Sequence, residues 1–159
     1  MDASRLREAM ARAAAGVGVV SAGWEGGWRG LTASSFFSAS LEPPLLAVAL
    51  DRFATTRDAV LRSGRFNLSV LTARQRFLAE RFSGRAPAVD PAWNEVPHRP
   101  GSNGLPLIEG ALAWFECGVR DVHEAGDHDL VLGDVLAAGH AGGDPLVLWD
   151  RELWTVGRL

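Results

Sequence analysis

The sequence predicts a mainly β protein, an antiparallel barrel with a few peripheral helices. Two observations carry that expectation. Short apolar or alternating stretches recur along most of the chain, separated by Gly, Pro and Asp clusters that favour turns. Helical patterns are few and never alternate with strands in the βαβ rhythm of a doubly wound sheet.

Taken in order, residues 4–15 read as a first helix. Ser4 can cap it, Leu6, Met10 and Ala13 recur at helical spacing, and Gly16 can end it. Val17–Ala22 is an apolar run rich in valine; with Glu25-Gly26-Gly27 and Trp28–Ala33 it forms a plausible hairpin. Pro43-Pro44 interrupts the chain before a buried-looking strand, Leu45–Leu50. Thr55-Thr56-Arg57-Asp58 opens a short helix to about Ser63, stopped by Gly64. Arg65–Leu71 alternates as a strand with Phe66, Leu68 and Val70 on one face. Thr72-Ala73-Arg74-Gln75 is a capping-box pattern for a helix to about Phe82. Ser83–Pro106, rich in Pro, Gly and Ala, reads as a long surface loop of the kind that serves as a lid or partner contact. Ala111–His123 and Leu130–His140 read as strands around a turn at 124–129, and shorter strands follow at Leu146–Trp149 and Leu153–Val156. The 159 residues are expected to form a single domain.

Composition narrows the function. A net charge of −3 supplies no basic field for phosphate backbones, so no nucleic-acid partner is expected. The strongly apolar run Leu45–Leu50 is too short to span a bilayer, and Met1-Asp2-Ala3-Ser4-Arg5 lacks a signal-peptide layout. The lone Cys117 precludes an internal disulfide and suits a reducing compartment; no membrane association and a cytoplasmic location are expected. All 16 basic residues are arginine and tyrosine is absent. A Schiff-base lysine, a P-loop lysine and a tyrosine proton donor are therefore excluded. No Gly-x-Ser-x-Gly elbow seats a hydrolase nucleophile. Cys117, His123 and His128 lack a familiar zinc spacing, so no metal site is expected. Gly16-Val17-Gly18 lies between a helix and a strand, the wrong order for a dinucleotide fingerprint.

Three constellations could carry chemistry. Thr32-Ala33-Ser34-Ser35-Phe36-Phe37-Ser38-Ala39-Ser40 holds five hydroxyls and no charge. Such a segment can hold an anion or the rim of a heterocycle without a fixed countercharge. It equally suits an edge strand and turn whose hydroxyls bond the backbone. Arg52-Phe53-Ala54-Thr55-Thr56-Arg57 places two arginines and two hydroxyls at a helix N-terminus, a competent phosphate site or a simple N-cap. In Gly126-Asp127-His128, Asp127 can orient His128 toward a bound nicotinamide or phosphate; the alternative is a solvated turn.

The ordered segments Gly30–Phe36, Ser38–Leu45, Phe66–Val70, Gly110–Cys117, Gly126–His128 and Pro145–Trp149 resemble the flavin reductase-like domain family, whose fold is the FMN-binding split β-barrel. The resemblance covers the chain from Leu6 to Leu153. It implies a homodimer that oxidises NADH or NADPH, reduces FMN (or FAD), and supplies reduced flavin to a partner flavin-dependent monooxygenase. Carried over by position, Thr32, Ala33, Ser34 and Ser35 would meet the isoalloxazine and ribityl groups, and Ser38 and Ser40 the flavin tail. Thr55 and Thr56 would meet the phosphate, Asn67 would lie beside the flavin, and Arg81-Phe82 would close on it. Gly126, Asp127 and His128 match the tripeptide linked to nicotinamide binding, with His128 the catalytic candidate.

There are departures. Ser34 stands for a more usual asparagine and Phe53 for a small or polar residue. Asp150-Arg151-Glu152 replaces a more basic, tyrosine-rich ending, so no pocket role is carried over to that end. Two functions outside the reductase reading are weighed: a non-catalytic flavin carrier, which has no need of Gly126-Asp127-His128, and an oxidase related to the pyridoxamine-phosphate enzymes, whose basic clamp would have to be entirely arginine.

Overall fold

The computed structural model describes residues 1–83 and 93–159. Its main feature is an antiparallel sheet of seven strands: β2 (Gly18–Trp24), β3 (Gly27–Ala33), β4 (Phe36–Leu41), β5 (Pro44–Asp51), β6 (Arg65–Val70), β9 (Ala113–Ala125) and β10 (His128–His140). Their spatial order is β3-β2-β6-β9-β10-β5-β4. The sheet curls without closing, so β3 and β4, consecutive in sequence, form its two edges. Register shifts within the 13-residue strands β9 and β10, near Gly133 and Ala137, add the local bend that curvature requires.

Inside the curl lies one core, including Val20, Leu46, Val48, Leu50, Phe66, Leu68 and Val131. Helix α2 (Thr55–Ser63) contributes Ala59 and Val60 to it, and Gly64, at φ +68°, ends the helix as expected. A second core lies outside, under the 3-10 turn at Ala73–Gln75 and helix α3 (Arg76–Phe82). It joins Val17, Val19, Leu78, Ala79 and Phe82 to Trp93, Val96, Ile108 and Leu146. The predicted capping box is present: the Gln75 side chain accepts from Thr72 N at 3.1 Å. A small sheet of β1 (Ala15–Gly16), β11 (Leu146–Trp149) and β12 (Glu152–Thr155) flanks this core.

Several expectations change. The first helix, α1, spans Ala3–Met10 and is capped by Asp2, whose carboxylate accepts from Ser4 N at 2.9 Å. It buries no residue, so no packing extends it, and Gly16 instead pairs with Val147 as a strand residue. The segment expected as a surface loop is different over its described part. Trp93, Val96 and Leu105 are buried, and β7 (His98–Pro100) pairs with β8 (Pro106–Ile108). Residues 84–92 of that expected loop lie outside the described residues. The turn expected over 124–129 tightens to Gly126-Asp127, because Ala125 and His128 already pair.

Candidate functional site

Strand β3 presents Trp28, Gly30 and Thr32 to α3 by its two-residue period. Thr32 Oγ1 donates to Ala79 O at 2.7 Å, fixing helix to strand while leaving the hydroxyl oxygen free to accept. Ala33 points the other way, into the inner core. Ser34 and Ser35 then leave the strand, and Ser35 O accepts from Ala49 N at 2.9 Å. Between this corner, α3 and the β11–β12 hairpin lies a cavity of about 250 Å³. Thr32 and Ser34 supply hydroxyls to it, Ala79, Leu148 and Leu153 supply apolar wall, and Arg151 stands at its edge. The lining carboxylate Glu80 is paired with Arg76 at 3.0 Å.

A second cluster gathers at the far end of β5. Gly126 adopts φ +70°, the left-handed geometry of a two-residue hairpin turn. Arg52 N donates to Asp127 O at 3.0 Å, which joins this turn to the segment before α2. Asp127 accepts from His128 Nδ1 at 2.7 Å. That bond holds Asp127 below the ordinary carboxylate range, by hydrogen bonding first and by the ring's charge second. It also orients the imidazole. Ala49, bonded to Ser35, is two residues from Asp51, which pairs with His128, so about 7 Å of β5 separates those two positions.

The arginines of the expected phosphate site are engaged. Arg57 Nε donates to the buried Asp129 at 2.7 Å, and Arg57 Nη1 to Asp58 at 2.9 Å. Those two bonds, Asp58 first, raise its pKa further. Arg52 bonds Glu124 at 3.0 Å and approaches Asp129 at 3.7 Å. Thr55 is exposed at the start of α2 and Thr56 buried. The helix is capped by the Ala54 backbone with no side-chain bond, so neither threonine is its N-cap.

Five other predicted residues do not line this cavity. Ser38 and Ser40 line a separate, mostly apolar groove of about 320 Å³ with Phe36, Phe37 and Leu41. The chain turns between Ala33 and Phe36, and the sheet places β3 and β4 on opposite edges. Asn67 is fully buried: it accepts from Asn103 Nδ2 at 2.7 Å and donates to Leu105 O at 3.2 Å. Phe82 packs in the outer core on Trp93, with ring centroids 4.9 Å apart. Arg81, beside it, donates to Asn94 O at 2.7 Å. Arg151, by contrast, was given no role from sequence and sits at the cavity. Its signal was the spacing of Trp149 and Glu152, which pair across Asp150-Arg151 as a two-residue turn.

An open antiparallel barrel whose cavity is lined by hydroxyls, apolar side chains and the charges of Glu80 and Arg151 defines a candidate small-molecule-binding protein. Residues 10–157 match the model of the flavin reductase like domain. The chain is 37% identical over 160 residues to "FMN reductase (NADH) RutF 2" of Methylorubrum extorquens, covering 98% of this chain and 90% of that one. It is 38% identical over 141 residues to "FMN reductase (NADH) SmoA" of Agrobacterium fabrum, covering 89% and 79%. A longer Rhizobium meliloti protein named "Probable flavin reductase" is 38% identical over 142 residues, which are 89% of this chain and 45% of that protein. Among solved structures, BorF, the flavin reductase component of a bacterial two-component tryptophan halogenase, superposes with a TM-score of 0.90 at 34% identity, covering 99% and 100%. The Streptomyces globisporus NADH:FAD oxidoreductase SgcE6, in complex with NAD and FAD fragments, gives 0.91 at 32% identity, covering 98% and 93%. The chain belongs to the flavin reductase-like family, and its curled sheet is the split barrel expected from sequence.

Proposed function

We propose that the protein is an NAD(P)H:flavin oxidoreductase that reduces FMN, with FAD as the alternative, and releases reduced flavin to a flavin-dependent monooxygenase. The carrying observation is the cavity in which the hydroxyls of Thr32 and Ser34 face the apolar wall of Ala79, Leu148 and Leu153, with the Asp127-steadied His128 at the other end of the Ser35–Ala49 connection along β5. Relatives named as NADH-dependent FMN reductases and as a monooxygenase reductase subunit support it.

The cavity fits part of a flavin. An isoalloxazine is a flat apolar body with a hydrogen-bonding rim, and the cavity sets Leu148, Leu153 and Ala79 against the hydroxyls of Thr32 and Ser34. When bound, flavin supplies the ring that accepts a hydride from dihydronicotinamide. The protein's own task is positioning. Thr32, locked by its bond to Ala79 O, holds one edge of the ring. The Ser34–Ser35 corner offers further polar groups, and neutral donors tolerate both redox states of a ligand that must also leave. His128, steadied by Asp127, meets the nicotinamide side and sets its approach.

Its working form is a homodimer. Phe37, Leu41 and Leu136 are 56%, 87% and 70% exposed, and the first two border the β4 groove, an apolar face suited to a second copy. Sedimentation equilibrium checks this; a monomer at micromolar concentration refutes it. A cytoplasmic location is part of the same reading, and among the described residues no helix is long and apolar enough to cross a membrane. The activity is tested by adding NADH or NADPH with FMN or FAD and following nicotinamide absorbance. Absence of oxidation in every pairing, with flavin bound, would refute the reductase and favour the carrier.

A further inference from the structure

The β11–β12 turn carries two features that the flavin reading leaves unused. Asp150 and Arg151 both adopt left-handed backbone, at φ 50° and 66°. A two-residue turn of this shape favours Asn-Gly or Asp-Gly, because glycine takes the second position without a Cβ clash. Here that second position holds an arginine. The turn is fixed from outside: Asp150 N donates to Ala11 O at 2.8 Å, and the Asp150 carboxylate accepts from Arg12 at 3.3 Å. An anchored turn therefore carries a long cation to the edge of the cavity.

Arg151 is also the one cation among the described lining residues, and it makes no hydrogen bond or ion pair with any described residue. The other lining charge, Glu80, is occupied by Arg76. Leu148 and Leu153 line the same cavity, and apolar wall strengthens a cation's attraction for an anion. A planar fork of donors without a partner among the described residues matches a phosphate ester, which it can hold through two parallel bonds.

We propose that Arg151 is the phosphate-reading residue of this cavity. It takes a phosphate ester either of the flavin tail or of the nicotinamide dinucleotide, and so sets which ligands bind well. The inference rests on the reductase reading for the identity of those ligands. It assigns Arg151 binding and specificity, not a chemical step.

The test compares wild type with Arg151→Gln and Arg151→Lys in the full chain. Dissociation constants for FMN and riboflavin are measured by flavin fluorescence without nicotinamide. KM and kcat for NADH and NADPH are measured with riboflavin as acceptor, which carries no phosphate. If the flavin phosphate is the ligand, Arg151→Gln weakens FMN binding about tenfold while riboflavin is unchanged. If the dinucleotide phosphate is the ligand, both flavin constants hold and KM for NADH or NADPH rises about tenfold at constant kcat. Lysine, which keeps the charge but not the fork, restores part of either loss. Values within twofold for all four ligands would overturn the proposal. So would equal losses for FMN and riboflavin that lysine fails to restore, since these indicate a damaged turn. If wild type oxidises neither nicotinamide, the reductase reading fails, and the FMN–riboflavin comparison alone decides the role of Arg151.

Discussion

Replacing Gly30 by alanine should loosen α3 and weaken the proposed flavin cavity together. A Cβ at position 30 would lie 2.5 and 2.6 Å from two ring atoms of Phe82 and 3.3 Å from Trp93. Ordinary carbon contacts need about 3.5 Å or more, so about 1 Å must be found. Phe82 cannot supply it by turning, because it is 3% exposed and packed against Trp93. The helix must retreat, and a shift of that size would stretch the 2.7 Å bond from Thr32 to Ala79 O beyond bonding range. Overpacking costs about 1–3 kcal/mol and the lost bond about 1 kcal/mol, together about 2–4 kcal/mol. For a chain of this length that corresponds to a fall in Tm of about 5–15 °C. Thermal unfolding followed by circular dichroism measures the loss, and fluorescence titration with FMN measures the cavity. Phe82→Leu should recover part of the loss in the double variant, giving a favourable coupling. A fall below about 2 °C, or strict additivity of the two substitutions, would refute the reasoning.

Three further outcomes follow from the same geometry. Burial, aided by Asp134 and Glu116, pushes the Cys117 thiol up to about 12, so thiol reagents at pH 8 should label the protein only when it unfolds. The folded state keeps this proton while the unfolded thiol loses it near its ordinary value. The stabilisation is therefore present below about pH 9 and lost as pH rises toward 12, by about 1.4 kcal/mol per unit, a decline that Cys117→Ala should flatten in alkaline urea titrations. Asp129→Asn removes the buried partner of Arg57; with Asp58 still 2.9 Å from that guanidinium, the expected loss is about 2 kcal/mol, below that of a wholly buried pair, and denaturant midpoints check it. His128→Ala should raise KM for the nicotinamide about tenfold and leave the FMN dissociation constant nearly unchanged; equal losses in both would place the ring against the flavin.

The fold was legible where a local rule and the tertiary environment agreed. The Glu25-Gly26-Gly27 turn, the Gly64 stop, the Thr72–Gln75 capping box and the Phe66/Leu68/Val70 face each follow from chain-local chemistry, and each is present. The failures share a different cause. Pro and Gly content made 83–106 read as surface loop, although Trp93, Val96 and Leu105 are apolar residues that a loop has no reason to carry. Once that stretch is allowed to fold back, the account of Asn67 changes too. Alternation on β6 correctly turns Asn67 away from Phe66 and Leu68, but the face it joins is roofed by Asn103 and Leu105. A buried amide with both its donor and its acceptor engaged serves the fold before it can serve a ligand.

The hydroxyl-rich segment divides for a related reason. Composition treats Thr32 to Ser40 as one unit, but two edge strands share it, and the corner at Ser34-Ser35 separates them. Thr32 and Ser34 keep a cavity whose remaining walls arrive from α3 and from the C-terminal hairpin, far away in sequence. Ser38 and Ser40 fall in the apolar groove, where a second copy of the chain is the proposed neighbour. The bond from Thr32 to Ala79 O also unites the two original readings, since one hydroxyl satisfies the backbone and still borders the cavity. Sequence spacing cannot distinguish these roles, because both depend on which element covers each edge. Arg151 is the complementary case. Nothing local marks it, yet its backbone geometry, the anchoring of Asp150 and the lack of a partner among described residues coincide at the cavity that Thr32 also lines. The cavity thus has neutral hydroxyls where the proposed ring would lie and, among the described residues, one lining cation without a partner, a division suited to a ligand with a neutral aromatic head and an anionic tail.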